Sequence, residues 1–95
     1  HLMRSRYSAF VLLRRDYLLA TWHPRHRPHD LELDAGARWL GLDVRHHRST
    51  GPDTAEVEFV ARQRDASGRA SRLHERSRFV REDGRWYYLD GDIAP

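Results

Sequence analysis

The sequence predicts an α+β domain in which N-terminal helices pack on one face of a curved antiparallel sheet. Three observations carry this prediction. Apolar residues recur at three- and four-residue spacings through residues 2–22. Apolar and polar residues then alternate through residues 56–64 and 72–80. Turn-forming clusters separate the alternating runs. Helices followed by a meander place the helices together on one side of the sheet.

Met3, Tyr7, Phe10 and Val11, then Tyr17, Leu18 and Trp22, fall on one side of a helix. Leu13-Arg14-Arg15-Asp16 divides this run, with Asp16 as the N-cap of a second helix over residues 17–21. One long helix satisfies the same spacing. Residues 23–29 are irregular, because Pro24 and Pro28 stop a helix and favour extended backbone. Asp30 then stands where it can cap a short helix over residues 31–38. Residues 39–45 begin the first strand, and residues 49–53 form a turn. In the second strand Val57, Phe59 and Ala61 share one face, and Glu56, Glu58 and Arg62 the other. Asp65-Ala66-Ser67-Gly68 reverses the chain. In the third strand Leu73, Glu75, Ser77 and Phe79 oppose His74, Arg76, Arg78 and Val80. Glu82-Asp83-Gly84 is a hairpin turn with glycine where positive φ is needed, and residues 86–90 are the last strand.

A chain of 95 residues holds one core and at most one cleft. It is polar for that size, with 39% hydrophobic and 33% charged residues, so its three Trp, four Tyr and three Phe must close the core. Tyr7, Tyr17, Trp22, Trp39, Phe59, Phe79, Trp86 and Tyr88 are read as mainly core. The absence of cysteine excludes disulfides, thiolate metal sites and a cysteine nucleophile. No apolar run reaches the length of a membrane span, and no apolar segment of a leader follows His1-Leu2-Met3-Arg4. A soluble, cytoplasmic protein is expected. The net charge is +3, yet every basic residue is Arg, with no Lys and no Asn, which reads as the bias of a GC-rich genome. The arginines are interleaved with acids, as in Arg62-Gln63-Arg64-Asp65, so nucleic-acid binding is not expected.

The third strand contains the most informative departure from pattern. Glu75 lies between Leu73 and Phe79 on the face that meets the helices. A carboxylate there loses solvation, and its pKa rises unless a cation or donor stabilises the charge. Arg4 or Arg6 can supply the cation, and Tyr7, Tyr17, Trp39 or Tyr88 a donor. One reading is a cleft with an acid–base carboxylate. The favoured reading is a structural Glu–Arg pair tying helix to sheet. Ser77 either bonds Glu75 or is simply small enough to admit a ring. No Ser-His-Asp spacing is legible. His23 is read first as a helix C-cap and second as the lining of a cleft mouth. His26, His29, His46 and His47 lack the spacing of a zinc site, so no metal and no cofactor are expected.

Several segments, taken in order, form a recognisable set. They are His1-Leu2-Met3-Arg4-Ser5-Arg6-Tyr7-Ser8-Ala9-Phe10, Asp16-Tyr17-Leu18 and Thr21-Trp22-His23-Pro24, then Trp39-Leu40-Gly41-Leu42 and Val57-Glu58-Phe59-Val60-Ala61-Arg62. Glu75-Arg76-Ser77-Arg78-Phe79 and Gly84-Arg85-Trp86-Tyr87-Tyr88-Leu89-Asp90-Gly91 complete it. The set resembles the YchJ-like family of bacterial proteins. The resemblance implies a cone-shaped fold like nuclear transport factor 2, with helices against a strongly curved sheet and a cavity between them. It implies no particular activity. Many members flank this domain with cysteine-rich SEC-C segments that look like zinc-binding modules. Without cysteine this chain is expected to bind neither zinc nor SEC-C partners, and it is read as a single domain over residues 1–95, a short form or a piece cut at the domain edges.

Three functions follow, in order. The first is a non-catalytic accessory or protein-interaction domain, with a homodimer through the charged outer sheet face among its options. The second is a small-ligand site or enzyme in the cone cavity, using Glu75 with Arg6, Tyr7, Tyr17, Trp22, Trp39, Ser77 and Tyr88. The third is weak nucleic-acid binding through the Arg/His loop at residues 23–29. Fold does not choose among them, and no catalytic residue is assigned.

Overall fold

The three- and four-residue spacing produces two helices, α1 (Leu2–Val11) and α2 (Arg15–Ala20), in a computed structural model that describes residues 2–33 and 35–93. The break between them is a C-terminal motif built on Leu13, whose φ of 58° is left-handed. The Leu13 N–H bonds the Phe10 carbonyl at 3.3 Å and the Arg14 N–H bonds the Ala9 carbonyl at 2.8 Å. These bonds satisfy carbonyls that the end of α1 leaves open. Arg14, rather than the expected Asp16, is the N-cap of α2, and no side chain caps it. Asp16 lies inside the first turn, where its charge suits the helix dipole.

The expected helix over residues 31–38 is absent from the described residues. Residues 31–33 are irregular, 35 and 36 form a turn, and Arg38 already belongs to the sheet; Asp34 lies outside the described residues. The physical reason is pairing. Arg38 is held opposite Arg64, which leaves too few residues for a stable helix. The Asp30 carboxylate instead accepts from the Leu31 N–H at 3.0 Å and from Arg15 at 3.5 Å.

Four strands follow: β1 (Arg38–Gly51), β2 (Thr54–Arg64), β3 (Ala70–Glu82) and β4 (Arg85–Ile93). They form one antiparallel sheet in the order β1-β2-β3-β4. Each is longer than its alternation foretells, and β1 runs through most of the expected 49–53 turn. Between β2 and β3, Asp65 accepts hydrogen bonds from the Ser67 and Arg69 N–H groups, and Gly68 takes a φ of 87°. Between β3 and β4, Asp83 and Gly84 both have positive φ, the turn whose twist matches a tight hairpin.

The β2–β3 register is regular from Thr54↔Val80 to Arg64↔Ala70. The flanking strands carry bulges. In β1 the register shifts around Leu40, Arg45 and Thr50, and in β4 around Leu89. Each shift inserts one residue and reverses which side chains face which way beyond it. The inner face is therefore Leu42, Val44, Val57, Phe59, Ala61, Phe79 and Tyr88, packed beneath Met3 of α1. Trp39 meets Tyr7 edge-on with ring centroids 5.6 Å apart, and Phe10 lies 5.8 Å away. The chain after α2 joins the free edge of β4. The Tyr88 N–H bonds the Thr21 carbonyl at 2.7 Å, and the His23 N–H bonds the Tyr88 carbonyl at 2.8 Å.

Candidate functional site

α1 carries one charged residue into the interior. Arg6 is only 4% exposed. Its Nη1 donates to the Leu18 carbonyl at 2.8 Å and to Thr21 Oγ1 at 2.6 Å. The first of these is a carbonyl from the last turn of α2, which the helix cannot satisfy itself. The guanidinium carbon also lies 4.7 Å from the Tyr88 ring centroid and 5.3 Å from that of Trp22, within cation–π range. Burial lowers the Arg6 pKa to about 10, against the opposing pull of Tyr88, Tyr17 and Glu75. Arg6 therefore remains a cation at neutral pH, and it ties both helices to β4.

Glu75 of β3 points at the same inner region. Its Oε2 accepts from the Ser77 hydroxyl and, at 3.2 Å, from the Tyr88 hydroxyl. The expected ion pair with Arg4 or Arg6 is thus replaced, among the described residues, by two hydroxyl donors. Arg6 acts on Glu75 only through space. Burial first, then the charge of Glu75, raises the Tyr88 pKa, so the phenol stays protonated and keeps donating. Ser77 is 1% exposed and bonds the carboxylate.

Gly91 of β4 makes room for this carboxylate. It sits opposite Ser77, and a Cβ there would lie 2.5 Å from Glu75 Oε2 and 3.0 Å from its Cγ. The bulge at Leu89 turns Gly91 inward. Sequence reasoning missed this residue, although an isolated glycine in a strand pattern is the usual mark of a bulge or a close approach.

The sequence-derived set divides in two. Glu75, Ser77, Tyr88, Trp22 and Arg6 meet around the β3–β4 edge, with the Tyr88 and Trp22 rings 5.1 Å apart. Tyr17 is peripheral. It is 40% exposed and its hydroxyl bonds Ser5 Oγ at 2.7 Å. Tyr7 and Trp39 form their own contact over β1. An open groove of about 1190 Å³ lies between the helices and residues 31–33, lined by Leu12, Leu13, Arg14 and Tyr17 among others. An apolar cavity of about 230 Å³ lies at the other end of the inner face, lined by Leu2, Met3, His47, Ala55, Val57, Phe79 and Trp86. Neither includes Glu75.

His23 does not cap α2, because Thr21 holds that position. Its ring is buried beside Tyr87, with centroids 5.9 Å apart. Nδ1 accepts from the Arg25 N–H at 3.1 Å, so Nε2 carries the proton and donates to Glu82 at 2.6 Å. In the Arg/His loop, the Arg27 guanidinium is bound to the Trp22 carbonyl at 3.1 and 2.9 Å. Among the described residues no three His, Asp or Glu side chains are grouped to hold a metal ion. No helix among them is long and apolar enough to cross a membrane.

The face opposite the helices carries Val60 and Val80 as well as two rows of charged residues. Glu58 accepts from His74 Nε2 at 2.7 Å and lies 3.8 Å from Arg76. The His74 bond is the main reason its pKa is lowered. Arg78 bonds Asp90 at 2.6 Å and Asp92 at 2.8 Å. These carboxylates raise the Arg78 pKa, and Arg78 in turn lowers that of Asp92. Arg48 bonds Glu56 at 2.7 Å.

Comparison with known proteins places this geometry among relatives. A family model described as YchJ, middle NTF2-like domain, matches residues 1–91. A UPF0225 protein of Methylibium petroleiphilum is 70% identical over 95 residues, covering 99% of this chain and 69% of that protein. A UPF0225 protein of Polaromonas naphthalenivorans is 71% identical over 91 residues, covering 96% of this chain and 66% of that protein. The chain thus spans about two thirds of the length of these relatives. The solution structure of a SEC-C motif containing protein from Rhodopseudomonas palustris aligns with a TM-score of 0.84 at 35% identity, covering 99% of this chain and 77% of that one.

Proposed function

This chain belongs to the YchJ middle-domain family, and from that premise we propose that it is a non-catalytic accessory domain that works through protein contacts. One observation carries the reading: the polar groups of the inner face are turned on one another. Glu75 is held by Ser77 and Tyr88, Arg6 by α2, and neither cavity reaches the carboxylate. A general acid or base must reach the proton it transfers, and Glu75 is instead engaged as internal structure. A thermal-shift screen of small metabolites against wild type and Glu75→Gln tests this. The expected result is that Glu75→Gln removes no ligand response. A compound that raises the wild-type Tm by several degrees and loses that effect in Glu75→Gln would overturn the reading.

A second reading is favoured by the apolar cavity. Its volume of about 230 Å³ suits one aromatic ring or a short branched chain, since dry apolar cavities of roughly 150 Å³ already admit benzene. It relocates small-molecule binding from Glu75 to the Phe79 end of the sheet. Titration with phenol, followed by amide shifts of Ala55 and Val57, checks it. Shifts there that Ala55→Phe abolishes support it, and shifts elsewhere or none remove it.

A further inference from the structure

We propose that the end of the sheet beside the β2–β3 turn binds an acidic, extended segment of a partner protein. This rests on the protein-contact reading above and names the chemistry of the partner. The sequence interleaves arginines with acids, and strand pairing undoes that interleaving. Arg62 stands directly opposite Arg72, and Arg64 directly opposite Arg38. Arg69 lies in the connection between β2 and β3. Asp65 is the one acid between residues 59 and 74. Its carboxylate is committed to the turn, where it accepts from the Ser67 hydroxyl and from the Ser67 and Arg69 N–H groups. All five arginines are exposed, and among the described residues none of them forms an ion pair.

Nearer the other end, the same face is built differently. Arg48, Arg76 and Arg78 each meet a carboxylate of the chain, from Glu56, Glu58 and Asp90. Directly paired residues share a face and hold their Cβ atoms about 4.5–5.5 Å apart, so like charges at paired positions oppose folding. Two such pairs side by side leave the folded chain with a repulsion that no described carboxylate relieves. A partner rich in carboxylates relieves it, because each guanidinium can hold a carboxylate through two parallel N–H donors.

The spacing fits an extended peptide. Arg62 and Arg64 are two residues apart on one strand, a step of ~7 Å, which is also the step between alternate side chains of any extended segment. The patch also includes an apolar position. Leu40 is the inserted residue of a β1 bulge, between the pairs Trp39↔Gln63 and Gly41↔Arg62, and it is 51% exposed. It offers a contact to an apolar residue set among the acids of a peptide. Nucleic acid fits less well. Single strands bind on rings that stack their bases, and Trp39, the aromatic residue of β1, is packed against Tyr7 on the inner face.

The test is fluorescence anisotropy at low salt with a labelled peptide of about twelve residues, in which Glu alternates with Ser around a central Leu. Wild type is expected to bind it and to release it as NaCl rises. Arg62→Glu/Arg72→Glu is expected to weaken binding by about tenfold or more. Arg25→Glu/Arg85→Glu makes the same change in net charge at two exposed arginines near the β3–β4 hairpin. It is expected to weaken binding by less than about threefold. No binding by wild type, or equal losses in the two variants, overturns the proposal. So does tighter binding of a single-stranded oligonucleotide of equal charge, which would assign the patch to nucleic acid. A second readout separates lost binding from misfolding. Arg62→Glu alone places unlike charges opposite one another, so its Tm is expected to rise by about 1–4 °C while peptide binding weakens. A lower Tm would mean that the opposed arginines carry no repulsion, and would overturn the proposal as well. Failure here leaves the Glu75 reading standing, and a ligand dependent on Glu75 breaks that reading without touching this one.

Discussion

On the face beneath the helices, Glu75 receives hydroxyl donors while a buried arginine is spent on the end of α2. On the opposite face, carboxylates and arginines stand side by side in solvent. The same residue types therefore carry different weight. A buried charge with fixed partners cannot be removed without leaving those partners unpaired. An exposed ion pair exchanges water for a partner at little net gain and is screened by salt. The inner cluster is therefore expected to weigh more on stability than the outer rows.

The sharpest way to break this comparison is Arg6→Ala. It strands the Leu18 carbonyl and Thr21 and empties the space between Trp22 and Tyr88, so a loss of about 3 kcal/mol is expected in urea unfolding. A loss no greater than that of Arg76→Ala would erase the distinction between the faces. Gly91→Ala comes next, at about 1–3 kcal/mol, because its Cβ would collide with Glu75. The collision makes the effect conditional: the cost should shrink in a Glu75→Ala background, and equal costs in both backgrounds would sink this explanation. Glu75→Gln keeps an acceptor for Ser77 and Tyr88, so calorimetry should find a loss below about 1 kcal/mol.

The smallest effects belong outside. Arg78→Ala should cost under about 1 kcal/mol, and less again in high salt. An unchanged cost at high salt would mean that Arg78 is more than a surface partner. Glu58 and Asp92 have lowered pKa values in the folded chain. A lowered carboxylate adds stability above its unfolded pKa and loses it as pH falls through the folded value. Acid titration should therefore show stability falling below about pH 4. Replacing Glu58 by Gln should flatten that fall slightly, while Arg62→Gln should leave it unchanged.

Much of this was legible in the residues. Alternation through β2 and β3 correctly separates Val57, Phe59 and Phe79 from Glu58, Arg76 and Arg78, because a pleated strand has a period of two. Asp65-Ala66-Ser67-Gly68 and Glu82-Asp83-Gly84 announce their turns, because positive φ excludes most side chains. The inward placement of Glu75 follows from the same period. Its partners do not. Arg6 lies near enough to attract it but is bonded elsewhere, and no local pattern reveals which acceptor a buried arginine will choose. The helix expected over residues 31–38 failed for a related reason, since pairing of Arg38 with Arg64 overrides local capping by Asp30.

The sequence by itself determined that helices precede a meander, the two turns that flank β3 and the faces of the two central strands, all of which depend on neighbours in the chain. Only the tertiary structure decided the faces of the outer strands. Bulges at Arg45 and Leu89 shift β1 and β4 by one residue, sending Arg48, Asp90 and Asp92 outward and Gly91 inward. Bulges arise where a strand must bend to follow its partner, so the charged rows and the space for Glu75 exist only once the sheet is assembled.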